Sequence, residues 1–257
     1  MKIKAGQVAL VTGGASGIGL GMATRFAELG LKLVLADRDE DRLASAAAQF
    51  EREGVTVLAV PTDVSDPSGM ERLRDLVCER LGTVDILCNN AGVVSPFRPL
   101  WTNPLEDWQR VVDVNMWGVI HGIRMFVPAM VEAGRGHVVN TASMAGLGVI
   151  PSNGIYNATK HAVVSLSETL RADLDGGGHD IGVTVLCPGL VETDINSDPA
   201  IAALIPEGSV FLKPDDVARQ VVAAIERNQL YLATNAGSDA LIRMRQDRVM
   251  QEAGQPL

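Results

Sequence analysis

Seven short runs of almost unbroken aliphatic residues, spread along the whole chain, limit the folds open to it more than any other feature. They are Val8–Val11, Lys32–Ala36, Val55–Val60, Asp85–Cys88, His137–Asn140, Val183–Cys187 and Leu230–Ala233. A strand with one wet face alternates polar and apolar side chains, whereas runs without that alternation suit strands covered on both faces of a parallel sheet. The segments between them carry helical periodicity. Gly17–Leu29, Asp39–Glu53 and Pro67–Leu81 are each followed by a glycine of the kind that stops a helix (Gly30, Gly54, Gly82), and Pro104–Glu132 opens on a proline that a first turn tolerates. This alternation predicts a doubly wound α/β fold.

With 257 residues and 47% hydrophobic content, the chain can bury one sizeable core, so residues 1–257 are expected to form a single domain. The least regular stretch, 192–213, is a candidate substrate-covering loop. The net charge of −9, with no basic run, argues against a nucleic-acid or anionic-membrane partner. No apolar stretch is expected to span a bilayer, and Met1-Lys2-Ile3-Lys4 leads into Gly6 without the pattern of a secretory signal. Three well-separated cysteines, Cys78, Cys88 and Cys187, read as buried reduced thiols of a cytoplasmic protein. The four histidines lack metal-ligand spacing, so no metal is expected.

After the first apolar run comes Thr12-Gly13-Gly14-Ala15-Ser16-Gly17-Ile18-Gly19, opening directly into a helix. Glycines permit a tight turn and close backbone approach, and the amides at a helix N-terminus favour a diphosphate. The spacing is G-x-x-x-G-x-G rather than the common G-x-G-x-x-G. The next run ends in Asp37-Arg38. A carboxylate there can accept hydrogen bonds from ribose hydroxyls and repel a 2′-phosphate, which favours NAD over NADP. Arg38 points the other way, because a guanidinium can hold a phosphate, and Asp37 has a plain alternative as the cap of a helix beginning near Asp39.

Tyr156 and Lys160 stand four residues apart, one helical turn, and so share a face. A free tyrosine titrates near 10, and an opposite charge within about 4–6 Å lowers that value, which makes the pair a candidate acid/base device.

Together these residues resemble a family. Thr12–Gly19, Asn89-Asn90-Ala91-Gly92, Asn115, Ser143, Tyr156-x-x-x-Lys160 and Pro188-Gly189 with Thr193 follow the order and approximate spacing of the single-domain short-chain dehydrogenases/reductases, over essentially the whole chain. The resemblance implies a Rossmann-like, mostly parallel seven-stranded sheet in the order 3-2-1-4-5-6-7, with helices on both faces. It implies that Tyr156 is the general acid/base, that Lys160 lowers its pKa and binds the nicotinamide ribose, and that Ser143 donates to the reacting oxygen. Asn115 would interrupt the long helix and hold a water in a proton relay. Cofactor contacts are implied for Gly13, Ser16, Gly17, Ile18, Gly19, Asp37 and Arg38, for Asp63 and Val64, for Asn90, Ala91 and Gly92, and for Pro188, Gly189, Val191 and Thr193. Asp63 has an alternative as a turn aspartate.

The resemblance also puts Val94, Ser95, Pro96, Phe97, Met144, Leu147, Val149, Ile150, Asn153, Leu190 and Ile195 around the substrate. They are mostly apolar, which suits a hydrophobic secondary alcohol or its ketone. Asn140–Leu147, Ser165–Leu170 and the ending around Leu230-Tyr231-Leu232 resemble the members that oxidise bulky or benzylic alcohols, lignin-derived aryl ethers included; steroid and terpenoid alcohols fit the same character. An NADPH-dependent carbonyl or ketoacyl reductase is the alternative, and a nucleotide sensor without turnover a more distant one. Packing of Pro104–Glu132 and Asn153–Asp175 against their copies in a homodimer or homotetramer is implied as well.

Overall fold

A computed structural model describes residues 1–194, 205 and 208–254. The seven strands are β1 (Val8–Thr12), β2 (Lys32–Asp37), β3 (Val57–Pro61), β4 (Ile86–Asn89), β5 (Gly136–Thr141), β6 (Ile181–Cys187) and β7 (Tyr231–Ala233). They form one sheet in the order β3-β2-β1-β4-β5-β6-β7, and every neighbouring pair is parallel. The strand order agrees with the expected one. The helices are α1 (Gly17–Glu28), α2 (Glu40–Arg52), α3 (Pro67–Arg80), α4 (Leu105–Val112), α5 (Gly118–Ala133), α6 (Gly154–Gly176), α7 (Pro214–Glu226) and α8 (Ser238–Ala253).

Unbroken apolar strands make sense once both faces are covered. Ala9, Val11, Leu33, Leu35 and Ile86 pack with Met22 and Phe26 of α1, Phe50 of α2 and Val221 of α7. The alternate residues Val8, Leu10, Val34 and Leu87 pack with Leu73 of α3 and with Phe126 and Met130 of α5. A side-chain carbon at Gly21 would come within 2.9 Å of the Pro214 backbone, so glycine lets α7 close on α1. Because β1 lies between β2 and β4, the winding reverses at β1, and a crevice opens beyond the carboxyl ends of β1 and β4.

One expectation, the interruption of the long helix at Asn115, is met and two others change. The segment 104–132 is broken into two helices by a π-helical turn at Asp113–Trp117, with Asn115 buried in it. The run Leu105–Ala133, 29 residues long, is by length and composition alone long and apolar enough to cross a membrane. Half of its most apolar stretch is buried inside the fold, where it covers the sheet. Cys88 and Cys187 are buried, but Cys78 is exposed, because α3 turns Met70, Leu73 and Val77 inward and leaves position 78 outside.

Candidate active site

A cleft of about 1130 Å³ runs along the carboxyl ends of the strands. At one end lies the glycine turn. Gly13 has a left-handed φ of 63°, and a side-chain carbon on it would come within 3.0 Å of Ala91. One on Gly19 would reach 2.7 Å from Asn90 Nδ2, so this turn admits glycine alone at both positions. Thr12 stitches the turn to the loop after β4: its Oγ1 accepts from Asn90 N (2.9 Å) and Ala91 N (3.1 Å), and Asn90 Nδ2 donates to Thr12 O (3.0 Å). Gly13, Ser16, Gly17 and Ile18 line the cleft, and Gly19 braces the turn from behind.

Asp37, at the end of β2, accepts from Ala15 N with Oδ2 and from Asp39 N with Oδ1, both at 3.1 Å. Asp39, not Asp37, caps α2, accepting from Arg42 N at 3.1 Å. Asp37 therefore faces the glycine turn. Arg38 is exposed beside it at the cleft edge. Asp63 is in part the turn aspartate considered above, since its Oδ1 accepts from Ser65 N at 2.9 Å and Ser65 Oγ at 2.7 Å; it lines the cleft with Val64. A narrow cradle of backbone, a ribose-facing carboxylate and a helix N-terminus fit a dinucleotide.

The other end is made of side chains. Tyr156 and Lys160 on α6 meet Ser143 after β5. The Lys160 Nζ lies 5.4 Å from the Tyr156 ring centroid and donates to Thr141 O at 2.9 Å. Although Tyr156 is partly accessible from the cleft, the surrounding protein pushes its phenol above the usual 10, and the neighbouring Ser143 hydroxyl pulls it back. Lys160 is 3% exposed, and burial lowers it to about 8. Burial of the phenol, rather than the neighbouring Lys160, governs the direction of the Tyr156 shift, and the ammonium is turned to a backbone carbonyl.

Asn115 is held on both sides. Its Oδ1 accepts from Val93 N at 2.8 Å, while Nδ2 donates to Val93 O (2.8 Å) and Thr159 Oγ1 (3.2 Å). The side chain thus clamps the loop after Gly92 to α6. Beneath both loops runs a buried amide ladder. Asn89 Nδ2 donates to Asn140 Oδ1 (2.9 Å), Asn140 Nδ2 to Ser167 Oγ (3.0 Å), and Ser167 Oγ to Val163 O (2.7 Å).

The turn Pro188-Gly189-Leu190 closes the cleft from β6. Pro188 O accepts from Met144 N at 2.9 Å, and Thr193 packs on Gly17, where an added carbon would meet its Cγ2 at 3.0 Å. Asn235, after β7, holds this turn by accepting from Gly189 N (2.9 Å) and donating to Leu190 O (3.1 Å). Arg42 of α2 reaches across the cleft to an ion pair with Asp194. Sequence reading missed Asn235, Arg42 and Asp194, whose partners are remote in the chain; an Asn two residues past the last strand was the one available signal.

Val94, Ser95, Pro96, Phe97, Met144, Ile150, Asn153, Leu190 and Val191 line the cleft. Leu147 and Val149 are not among the lining residues; Leu147 packs against the cluster of Val119, Val163 and Val185. Ile195 and most of 192–213 lie outside the described residues. Arg110 also lines the cleft, its Nη2 donating to Val94 O at 3.1 Å.

The family model "short chain dehydrogenase" matches residues 7–200. A 1-deoxy-11-beta-hydroxypentalenate dehydrogenase from Streptomyces exfoliatus is 42% identical over 245 residues, covering 93% of this chain and 86% of that protein. A short-chain dehydrogenase/reductase from Burkholderia phymatum, solved in complex with NAD, matches with a TM-score of 0.91 at 39% identity, over 100% of this chain and 99% of that one. The apo form of LigD from Sphingobium sp. strain SYK-6 matches at 0.85 with 31% identity, over 98% and 99%.

Proposed function

The chain belongs to the short-chain dehydrogenase/reductase family, NAD(P)-dependent oxidoreductases acting on alcohol groups, and from that premise we propose that it oxidises a hydrophobic secondary alcohol to its ketone with NAD. The observation that carries the proposal is the convergence of Ser143, Tyr156 and Lys160 at one end of a cleft whose other end offers the glycine turn and Asp37. The hydroxypentalenate dehydrogenase supports oxidation of a hydroxyl group, the mostly apolar cleft lining supports a hydrophobic substrate, and the NAD complex of the Burkholderia protein supports the cofactor choice.

NAD, when bound, supplies the acceptor for the hydride that leaves the carbinol carbon. Ser143 donates a hydrogen bond to the substrate oxygen and holds it against the phenol. Tyr156, as the tyrosinate, takes the hydroxyl proton as the carbonyl forms, and as the phenol returns it in the reverse direction. Lys160, buried and cationic below about 8, would hold the ribose of bound NAD and stabilise the tyrosinate beside it. Asn115 acts by fixing the Val93 loop and Thr159 beside Lys160. Asp37 favours ribose hydroxyls over a 2′-phosphate because its carboxylate is already oriented by Ala15 N.

The test is Tyr156→Phe, assayed against a panel of aromatic and alicyclic secondary alcohols. Turnover falls by about 10²–10⁴-fold, as for loss of a general acid/base, while NADH binding stays within about two-fold. A variant retaining more than about a tenth of wild-type turnover sinks the assignment.

A further inference from the structure

We propose that Asn153 is a specificity-determining residue: its carboxamide donates a hydrogen bond to a second, acceptor oxygen on the substrate, a few bonds from the carbinol carbon. This rests on the alcohol-oxidation reading above.

Asn153 stands at the N-cap of α6, where an asparagine ordinarily turns its side-chain oxygen back to a first-turn amide. It makes no such bond. The side chain instead lines the cleft with Ser143 and Tyr156, although the residue is only 2% exposed. Its Oδ1 accepts from Ser95 Oγ at 2.6 Å, and Ser95 is itself 2% exposed. That contact fixes the amide, and Nδ2 donates to no group among the described residues. The preceding Ser152 has a φ of 61°, a left-handed conformation unfavourable for serine, and is held there by Arg98 N donating to Ser152 O at 2.8 Å. An uncapped helix, a left-handed serine and a cleft-facing amide donor that no protein group among the described residues engages meet at one corner of the cleft, where a ligand acceptor can take the donor.

Position and field narrow the chemistry. Asn153 at the N-cap and Tyr156 in the first turn of α6 line the same cleft, which puts the recognised oxygen within a few bonds of the carbinol carbon. First-turn N–H groups of α6, without a side-chain cap, make this corner positive, which favours an ether, carbonyl or carboxylate oxygen over a donor. The walls around it, Val94, Pro96, Phe97 and Met144, are apolar, so one polar group sets orientation while the rest grip hydrocarbon.

The experiment compares a benzylic alcohol bearing a methoxy group on the neighbouring carbon with its analogue in which methylene replaces the ether oxygen. Wild-type enzyme with NAD favours the ether in kcat/KM, and Asn153→Leu lowers the ether-to-methylene ratio by about ten- to hundred-fold, the cost of an unmet polar pairing. A ratio unchanged by the substitution, or no wild-type preference, overturns the proposal. If Asn153→Leu does not fold, Ser95→Ala decides: releasing the amide lowers the ratio several-fold, and an unchanged ratio again overturns it. Calorimetry of the two ketones on the NADH-bound protein separates this from the parent reading. Selective ether binding, lost in the variant but without turnover, keeps the recognition and sinks the dehydrogenase; turnover without selectivity does the reverse.

Discussion

The two ends of the cleft are built on opposite plans. At the nucleotide end the contacts are backbone, held by glycines at 13 and 19 that no other residue can replace and by Thr12, whose hydroxyl ties the turn to the loop after β4. At the chemical end they are side chains from β5, α6 and the π-helical turn, each buried and aimed by a partner: Lys160 by Thr141 O, Asn115 by Val93, Asn153 by Ser95. The first plan sets shape through local sequence, and the second sets electrostatics through long-range packing. Substitution should therefore act at the chemical end through desolvation and at the nucleotide end through charge near a wet edge.

The largest effect that sharpens this contrast concerns Lys160. Burial brings its pKa from 10.5 to about 8. Between those values the folded protein binds fewer protons than the unfolded chain, so stability rises with pH across that window; the destabilising contribution is fully present below about 8 and is relieved as the buried amine loses its proton. Urea unfolding of cofactor-free protein should show wild type gaining up to about 3 kcal/mol relative to Lys160→Met as pH rises from about 8 to about 10.5. A difference independent of pH would mean that the ammonium is solvated, and the contrast would collapse.

The same contrast explains what could be read in advance. The strand order came with the family resemblance; the alternation of strands and helices, the glycine turn and the Tyr156/Lys160 pair were legible because each rests on local pattern: period, turn chemistry, helical spacing. The direction of the Tyr156 shift was not, because spacing gives proximity to Lys160 but says nothing of the protein mass that desolvates the phenol. Asn115 was legible as a break in a helix, though not as a clamp, since Val93 and Thr159 reach it only in the folded chain. Leu147 packs against the buried cluster of Val119, Val163 and Val185, neighbours that only the folded chain brings to it.

At the nucleotide end the next effect is Asp37→Asn. The isosteric amide removes the charge that opposes a 2′-phosphate beside the exposed Arg38. The NAD-to-NADP ratio of kcat/KM should fall by about ten- to hundred-fold, most of it through improved NADP. An unchanged ratio would make Asp37 a brace for Ala15 N alone, and cofactor choice would have to come from elsewhere in the cleft.

The smallest effect tests whether charge at the wet edge is as weak as the comparison requires. Arg42 is shared by Asp39 and by Asp194, whose ion pair crosses the cleft with side chains 54% and 67% exposed. Solvent and salt screen such a pair, and fixing two mobile side chains offsets part of what remains. Asp194→Asn should leave the melting temperature unchanged. It should alter KM for NAD by no more than about three-fold at low ionic strength, a difference that disappears near about 1 M salt. A larger, salt-resistant change would show that the strap between α2 and the residue after Thr193 is a desolvated contact once cofactor is bound, and the nucleotide end would then share the chemical end's dependence on burial.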